Sequence, residues 1–203
     1  MDKPGAPQSY ITLGVPALKR TDEGYPAFLV FNAVLGGQFT SRVNMNLRED
    51  KGYTYGAHSA VSVQAGVMPW LMATSVQTDK TAESLVEIRR EILSALGDRP
   101  VGAKEFENAR NNLVLRYPQA FETQRQLAEN AGVLWTYHLP ADYFETRLQQ
   151  LKELTLDDVN KAARDVLQPG NISWLVVGDW KNLEKKLSTA GLGQAELVQA
   201  PGE

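Results

Sequence analysis

The spacing of apolar residues changes along this chain, and the order of those changes is the strongest constraint on its fold. Segments with the alternation or apolar composition of strands are separated by segments with the 3.6-residue spacing of amphipathic helices. The predicted strands are residues 8–15, 55–63, 67–76 and 171–177, and the last, a continuous apolar run, is expected to be buried. The predicted helices are residues 25–35, 42–48, 81–96, 103–117, 122–137, 142–151, 157–167 and 180–187.

This order of elements predicts an α+β fold, in which a small and mostly antiparallel sheet is covered on one side by a cluster of helices. We expect about four to six strands, a typical number for a sheet, and a helix cluster over residues 81–166. The 203 residues, 43% of them hydrophobic, can form one core. We assign residues 3–192 to a domain and residues 193–203 to a flexible tail.

Proline, glycine and threonine residues predict where several elements begin and end. Pro26 suits the first turn of its helix, and the pair Gly36–Gly37 is expected to form a C-cap. Thr155 is the expected N-cap of a later helix, with Asp158 as its capping-box partner. Residues 64–66 are a predicted hairpin turn between two strands.

Several chemistries are excluded or made unfavourable by the residues available. The chain has no cysteine, so thiolate metal sites and disulfides are excluded. Its two histidines, His58 and His138, lie eighty residues apart, and neither belongs to a zinc motif with two His and a Glu on one helix. The net charge of −3 argues against a nucleic-acid partner. No apolar run approaches the ~18 residues of a membrane span.

The segment LGGQFTSRVNMNLREDKGYTYG, residues 35–56, concentrates the chain's candidate functional residues. Arg48 ends a predicted helix and Tyr55 begins a predicted strand, so both side chains can point into one space. An Arg guanidinium can donate to peptide carbonyls or carboxylates, and a Tyr hydroxyl can stabilise a developing oxyanion. The structural alternative is that Arg42 and Arg48 pair with Glu49, Asp50 or the C-termini of helices, while Tyr53 and Tyr55 are ordinary strand aromatics.

This segment resembles the signature of the C-terminal domain of pitrilysin/insulinase-family metallopeptidases, which include the mitochondrial processing peptidase. The opening KPGAPQSYITLGVPA resembles the first strand of such a domain, and NISWLVVGDW resembles its last strand. In that family two similar α/β domains form a clamshell. The N-terminal domain carries an H-x-x-E-H zinc motif, and the zinc-less, inactive C-terminal domain supplies an Arg and a Tyr that contact the substrate.

The resemblance implies that this chain is the non-catalytic, substrate-binding half of a zinc metallopeptidase. Arg48 and Tyr55 would assist catalysis and bind the peptide, and Tyr53 would be the competing tyrosine. This chain would hold no metal and would be inactive alone. Zinc is expected in an H-x-x-E-H partner, either in the same full-length chain or in a separate subunit, and the assembled protein would be a zinc metalloendopeptidase.

Other implications of the resemblance concern the surroundings of the chain. The surface that faces the zinc-bearing half would be exposed in isolation and could drive homodimerisation. For the full-length protein, the bacterial periplasm or cell envelope is favoured over the cytoplasm.

Two alternative functions stand beside this interpretation. One alternative is a structural or assembly subunit of the same fold without a peptidase role. Another is an independent metalloenzyme that uses His58 and carboxylates.

Overall fold

Four antiparallel strands form one sheet in this α+β domain, and a computed structural model describes residues 1–64 and 66–199. The strands are β1 (Gln8–Leu18), β2 (Thr54–Val61), β3 (Met68–Gln77) and β4 (Ser173–Val177). Their order across the sheet is β2-β3-β1-β4, so β2 and β4 are its edges. The register pairs Leu13 of β1 with Met72 of β3 on one side and with Trp174 of β4 on the other.

Eight α-helices accompany the sheet in the described part of the chain. Two of them continue into π-helical segments, α1 into Ala33–Gly37 and α2 into Met45–Asp50. The helices are α1 (Tyr25–Asn32), α2 (Arg42–Asn44), α3 (Thr81–Leu96), α4 (Ala103–Arg116), α5 (Gln124–Thr136), α6 (Tyr143–Glu153), α7 (Leu156–Val166) and α8 (Trp180–Leu187). Among residues 1–64 and 66–199, no helix combines the length and apolarity that crossing a membrane requires.

The core lies between one face of the sheet and the helices. Strand residues alternate between faces, and the inner face carries fully buried side chains such as Ile11, Trp70 and Met72. Helices α1, α3 and α7 contact this side of the sheet, α8 packs on α3, and α4 and α6 pack outside α1. The outer face carries exposed Tyr10 and Leu71. The predicted sheet covered on one side is therefore confirmed.

A buried asparagine joins the helical layer to the sheet. The Asn32 Oδ1 atom accepts hydrogen bonds from the Ser59 hydroxyl at 2.7 Å and the Trp70 indole at 2.7 Å. The Asn32 amide nitrogen donates to the Ser59 carbonyl at 3.2 Å. Because every polar atom of this side chain is satisfied, its burial does not carry the cost of an unpaired polar group. It fixes the end of α1 over the β2–β3 hairpin.

Two local predictions are wrong, for physical reasons that the structure makes clear. The run 171–177 was expected to be buried, but β4 is an edge strand and Leu175 is 37% exposed. Its apolar continuity arises because the outer face of the sheet is itself partly apolar. Gly36 and Gly37 do not cap α1 in a left-handed conformation, since the positive-φ glycines are others. They lie inside the π-helical turn that extends the helix.

The remaining boundaries agree to within a few residues. Thr155 caps α7 and forms the predicted capping box with Asp158. Helix α5 begins after Thr123, which makes an unpredicted capping box with Gln126. The predicted turn at 64–66 includes Ala65, which lies outside the described residues. The predicted flexible tail, 193–203, also falls partly outside them, at residues 200–203.

Candidate functional site

Arg48 lies on the π-helical segment that follows α2. The Lys51 amide donates to the Asn46 carbonyl at 3.0 Å, five residues back, which is the hydrogen bond of a π-helix. Such short π-helical insertions are frequent at functional sites. The segment is held from behind by Asn46, whose amide nitrogen donates to Glu87 at 2.9 Å and to Glu91 at 2.8 Å on α3. The π-helical turn that carries Arg48 is therefore fixed to α3 by hydrogen bonds.

Tyr55 lies at a β-bulge near the start of β2. Thr54 pairs with Val76 and Ala57 with Thr74, so Tyr55 and Gly56 together oppose one residue of β3. Tyr55 has the same parity as Ala57 and Ser59, which are buried, yet it is 90% exposed. A bulge changes the direction of the side chains that precede it. The extra residue thus turns Tyr55 away from the core.

Hydrogen bonds from two threonines fix the bulge. The Thr54 hydroxyl donates to the Ser75 carbonyl at 2.7 Å and accepts from the Gly56 amide at 3.0 Å. The Thr74 hydroxyl donates to the Gly56 carbonyl at 2.9 Å. Threonine side chains therefore satisfy the backbone amide and carbonyl of Gly56 and the carbonyl of Ser75 at the bulge. The backbone that carries Tyr55 is held in place even though its side chain is free.

The three predicted site residues line one open cleft. Its volume is about 370 Å³, and it lies beside the π-helical segment and the ends of the central strands. Gly52 is one of its lining residues and has a φ of 66°, a left-handed conformation that favours glycine. The lining residues are Gln8, Arg48, Glu49, Gly52, Tyr53, Thr54, Tyr55 and Gln77.

The two tyrosines of the cleft differ in their contacts. Tyr53 is half-buried against the core, and the Lys80 ammonium lies 5.9 Å from its ring centroid. Its backbone amide donates to the Leu47 carbonyl at 2.8 Å. Tyr55 is almost fully exposed and packs on no part of the core. Tyr53 therefore contributes to the fold, whereas the Tyr55 side chain is available to a ligand.

The two arginines of the segment also differ. Arg48 makes a 3.2 Å ion pair with the adjacent Glu49, and its guanidinium carbon lies 4.5 Å from the Phe39 ring centroid. Its side chain remains 38% exposed. Arg42 instead donates to both carboxylate oxygens of Glu105, at 2.7 and 2.6 Å, and to the carbonyls of Arg99 and Pro100. The structural alternative predicts the Arg48–Glu49 pair, which leaves Arg48 partly exposed. Arg42 is a structural residue too, but its acidic partner is Glu105 and not Glu49 or Asp50.

The Arg42–Glu105 pair anchors the start of α2 to α4 electrostatically. Burial by itself would raise the pKa of Glu105. The hydrogen bonds from Arg42 and the Gly102 amide, with the positive charges of Arg42 and Arg99, outweigh that effect and lower the pKa. The carboxylate therefore stays ionised at neutral pH, and the pair is a structural clamp at one end of the site segment.

Sequence reasoning did not single out Phe39, Asn44, Gln8 or Gln77. Gln8 and Gln77 are cross-strand partners at the start of β1 and the end of β3, and both line the cleft. Phe39 and Asn44 lie within residues 35–56. An apolar Phe in a turn after two glycines was the sequence signal that could have identified Phe39. The bulge at Tyr55 could have been suspected from Gly56, because glycine inside a strand often marks one.

Neither histidine belongs to a metal site in the described part of the chain. Among residues 1–64 and 66–199, no group of three His, Asp or Glu side chains could hold a metal ion. His58 is exposed on the outer face of the sheet, opposite Ala73. His138 follows α5 with a φ of 50°, and its backbone amide donates to the Trp135 carbonyl at 3.3 Å. The residues present do not fit a zinc ion.

Comparisons with known proteins identify a family for this chain. Residues 1–113 match the model of the family described as Peptidase M16 inactive domain. An uncharacterized zinc protease of Streptomyces coelicolor is 28% identical over 172 residues, which cover 79% of this chain and 35% of that protein. The chain thus spans well under half the length of the curated relatives it matches.

Solved structures support the same fold. A peptidase M16 inactive domain from Pseudomonas fluorescens superposes with a TM-score of 0.80 at 23% identity, covering 88% of this chain and 42% of that chain. A protease from Helicobacter pylori superposes with a TM-score of 0.79 at 16% identity, again covering 88% of this chain and 42% of the other. At such identities the likeness concerns the fold alone.

Proposed function

The chain belongs to the peptidase M16 inactive-domain family, and on that premise we propose that it is the substrate-binding half of a zinc metallopeptidase that acts on peptides. A zinc-bearing partner domain, in the same full-length protein or in a separate subunit, would complete a clamshell active site around the cleft. This chain alone would cleave nothing. It would supply contacts that hold the peptide and favour its hydrolysis.

The observation that carries this proposal is the placement of Arg48 and Tyr55 in one open cleft. Tyr55 is 90% exposed, and the Arg48 side chain stays 38% exposed although it forms an ion pair with Glu49. The backbones that carry them are well braced, by Asn46 behind Arg48 and by Thr54 and Thr74 around the bulge. A rigid backbone that carries an exposed side chain is the arrangement expected of a binding site. A side chain that only stabilised the fold would be packed against it.

The chemistry of the two side chains suits a peptide under attack at its carbonyl. The Arg48 guanidinium offers several N–H donors in a plane and can hold a backbone carbonyl or a carboxylate. The Tyr55 hydroxyl can donate to the negative charge that develops on the scissile carbonyl oxygen. The amides of Gln8 and Gln77 add donors and acceptors along the cleft wall. Zinc chemistry would belong to the partner domain, since the described residues of this chain offer no metal site.

The proposal predicts different kinetic effects for the two residues. In the assembled enzyme, Tyr55→Phe should lower kcat on the order of 10²-fold, the usual effect of losing one oxyanion donor. Arg48→Ala should raise KM more than it lowers kcat, because it removes binding shared by the ground state and the transition state. The thermal melting temperature should barely change in either variant, because neither side chain is buried.

Matched controls remove the same groups elsewhere. Tyr10→Phe deletes a half-exposed tyrosine hydroxyl on the outer sheet face, and Arg164→Ala deletes an exposed arginine on α7. Both should retain wild-type kinetics. Tyr53→Phe tests the competing tyrosine, and a larger kcat loss there than in Tyr55→Phe would reassign the role to Tyr53. Full activity in Tyr55→Phe, Tyr53→Phe and Arg48→Ala alike would favour a structural or assembly subunit instead.

A further inference from the structure

Phe39 is an exposed aromatic residue in direct contact with the proposed site. It lies in the turn between the π-helical end of α1 and the start of α2, and its side chain is 59% exposed. An isolated exposed apolar residue needs no explanation. The Phe39 ring, however, lies under the Arg48 guanidinium, with 4.5 Å between the guanidinium carbon and the ring centroid. That is within the range of a cation–π interaction.

The backbone of Phe39 is fixed to the strand that carries Tyr55. The Asn44 amide nitrogen donates to the Phe39 carbonyl at 2.6 Å, and the Asn44 Oδ1 atom accepts from the Ala57 amide at 3.0 Å. Asn44 is only 3% exposed, so this bridge is shielded from water. One buried side chain thus ties the Phe39 turn to β2, two residues after Tyr55. The backbone that carries the ring is therefore held in place, while the ring itself lies beside Arg48.

Arg48 has little else to define its orientation. Its ion-pair partner is Glu49, the next residue in the chain, through Nε at 3.2 Å and with both side chains more than a third exposed. Exposed ion pairs of this kind are weak and leave long side chains mobile. Among the described residues, no other carboxylate pairs with Arg48. The Phe39 ring is the other close contact of the guanidinium, and among the described residues neither terminal nitrogen has an ion-pair partner.

We propose that Phe39 is a positioning residue that holds the Arg48 guanidinium in the orientation that binds the peptide. This inference rests on the proposed function, because it assigns Phe39 to the same site. The aromatic face and not the apolar bulk performs the role, since a cation is attracted by the ring quadrupole. A tyrosine at position 39 should therefore replace phenylalanine, whereas a leucine of similar volume should not.

The experiment uses the full assembled enzyme with the variants Phe39→Leu, Phe39→Tyr, Arg48→Ala and the double variant Phe39→Leu/Arg48→Ala. A cation–π contact at an exposed site is worth about 0.5–1 kcal/mol, which corresponds to about a two- to fivefold change in affinity. Phe39→Leu should raise KM by that factor and leave kcat unchanged. It should equally raise the Kd of a peptide measured without turnover after zinc is removed by chelation. Phe39→Tyr should match the wild type.

The double variant tests whether the effect passes through Arg48. In the Arg48→Ala background, Phe39→Leu should have no further effect on KM or Kd, because the two residues act as one unit. The inference is overturned if Phe39→Leu binds like the wild type, or if its effect is the same with and without Arg48. If Arg48→Ala itself binds normally, the proposed function fails first. Phe39→Met repeats the comparison should Phe39→Leu show a lowered melting temperature.

Discussion

Gly36 lies where the π-helical end of α1 meets the β2–β3 hairpin, and no side chain fits there. A Cβ atom at this position would lie 2.4 Å from the Ser59 hydroxyl and 2.9 Å from the Met72 methyl group. Ser59 cannot move freely because its hydroxyl donates to Asn32. Gly36 therefore permits close approach of helix and sheet, although its backbone conformation is not left-handed.

Replacing Gly36 by alanine should destabilise the protein. Overpacking a filled core costs about 1–3 kcal/mol, so Gly36→Ala should lower the free energy of unfolding by that amount in urea denaturation. Gly24→Ala is the matched control, because nothing lies within 4 Å of a Cβ there. Alanine at position 24 lowers the entropy of the unfolded chain, which stabilises the protein, but it is a poorer N-cap residue than glycine, which destabilises it. These effects oppose each other, so the free energy of unfolding should change by no more than about 0.5 kcal/mol. Equal stability of the two variants would contradict the role given to Gly36.

The site residues show what sequence can and cannot indicate. Arg48 and Tyr55 were placed by the signature of the segment 35–56, and both do line one cleft. Two-residue periodicity alone would have turned Tyr55 inward with Ala57, and only the bulge prevents this. Phe39 was not predicted, because its significance depends on a contact with a residue nine positions away. Bulges and stacking contacts are set by tertiary packing and leave weak local signals.

The junction of α4 and α6 depends on a tyrosine that titrates at unusually high pH. The Tyr117 hydroxyl donates to the Phe144 carbonyl on α6 at 3.0 Å. Burial, with a smaller contribution from Tyr143, raises the pKa of Tyr117 to about 12, although Arg147 and Arg20 oppose the shift. Because the folded-state value exceeds the value near 10 of an unfolded chain, this residue stabilises the fold fully below about pH 10.

We expect the contribution of Tyr117 to be lost as the pH rises through about 12. A phenolate cannot donate to the Phe144 carbonyl, and its charge is disfavoured where it is buried. The free energy of unfolding, measured in urea between pH 8 and pH 12, should stay level to about pH 10 and then fall. Tyr117→Phe should cost about 1 kcal/mol at pH 8 and make the alkaline fall shallower. An identical alkaline fall in Tyr117→Phe and wild type would refute this assignment.

The positions of the helices and strands along the chain were easier to predict than the place of each strand in the sheet and its burial. The amphipathic patterns of residues 81–96 and 157–167 identified α3 and α7, because each helix buries one stripe against the core. The mistaken burial of residues 171–177 has a different origin. An apolar run cannot distinguish a central strand from an edge strand whose outer face is also apolar. Neighbours in the sheet decide that question, and β4 has β1 on one side only.

The chain should fold without zinc, because the described residues form no metal site on which folding could depend. The purified chain is expected to contain no stoichiometric zinc by elemental analysis and to cleave no peptide. A chelator should leave its melting temperature unchanged and should abolish activity only when the zinc-bearing half is present. Stoichiometric zinc that disappears in His58→Ala or His138→Ala would contradict this.

Homodimerisation of the isolated chain and a periplasmic or cell-envelope location of the full-length protein remain predictions.

The free position of Tyr55 has an evolutionary consequence. Its side chain contributes almost nothing to folding, so selection for stability cannot preserve it, whereas Gly36 and Asn44 are constrained by packing and buried hydrogen bonds. In a lineage that no longer assisted hydrolysis, position 55 would be free to drift while the fold persisted unchanged. Under the proposed function, the identity of that one residue among descendants of a common ancestor would record whether the function was kept.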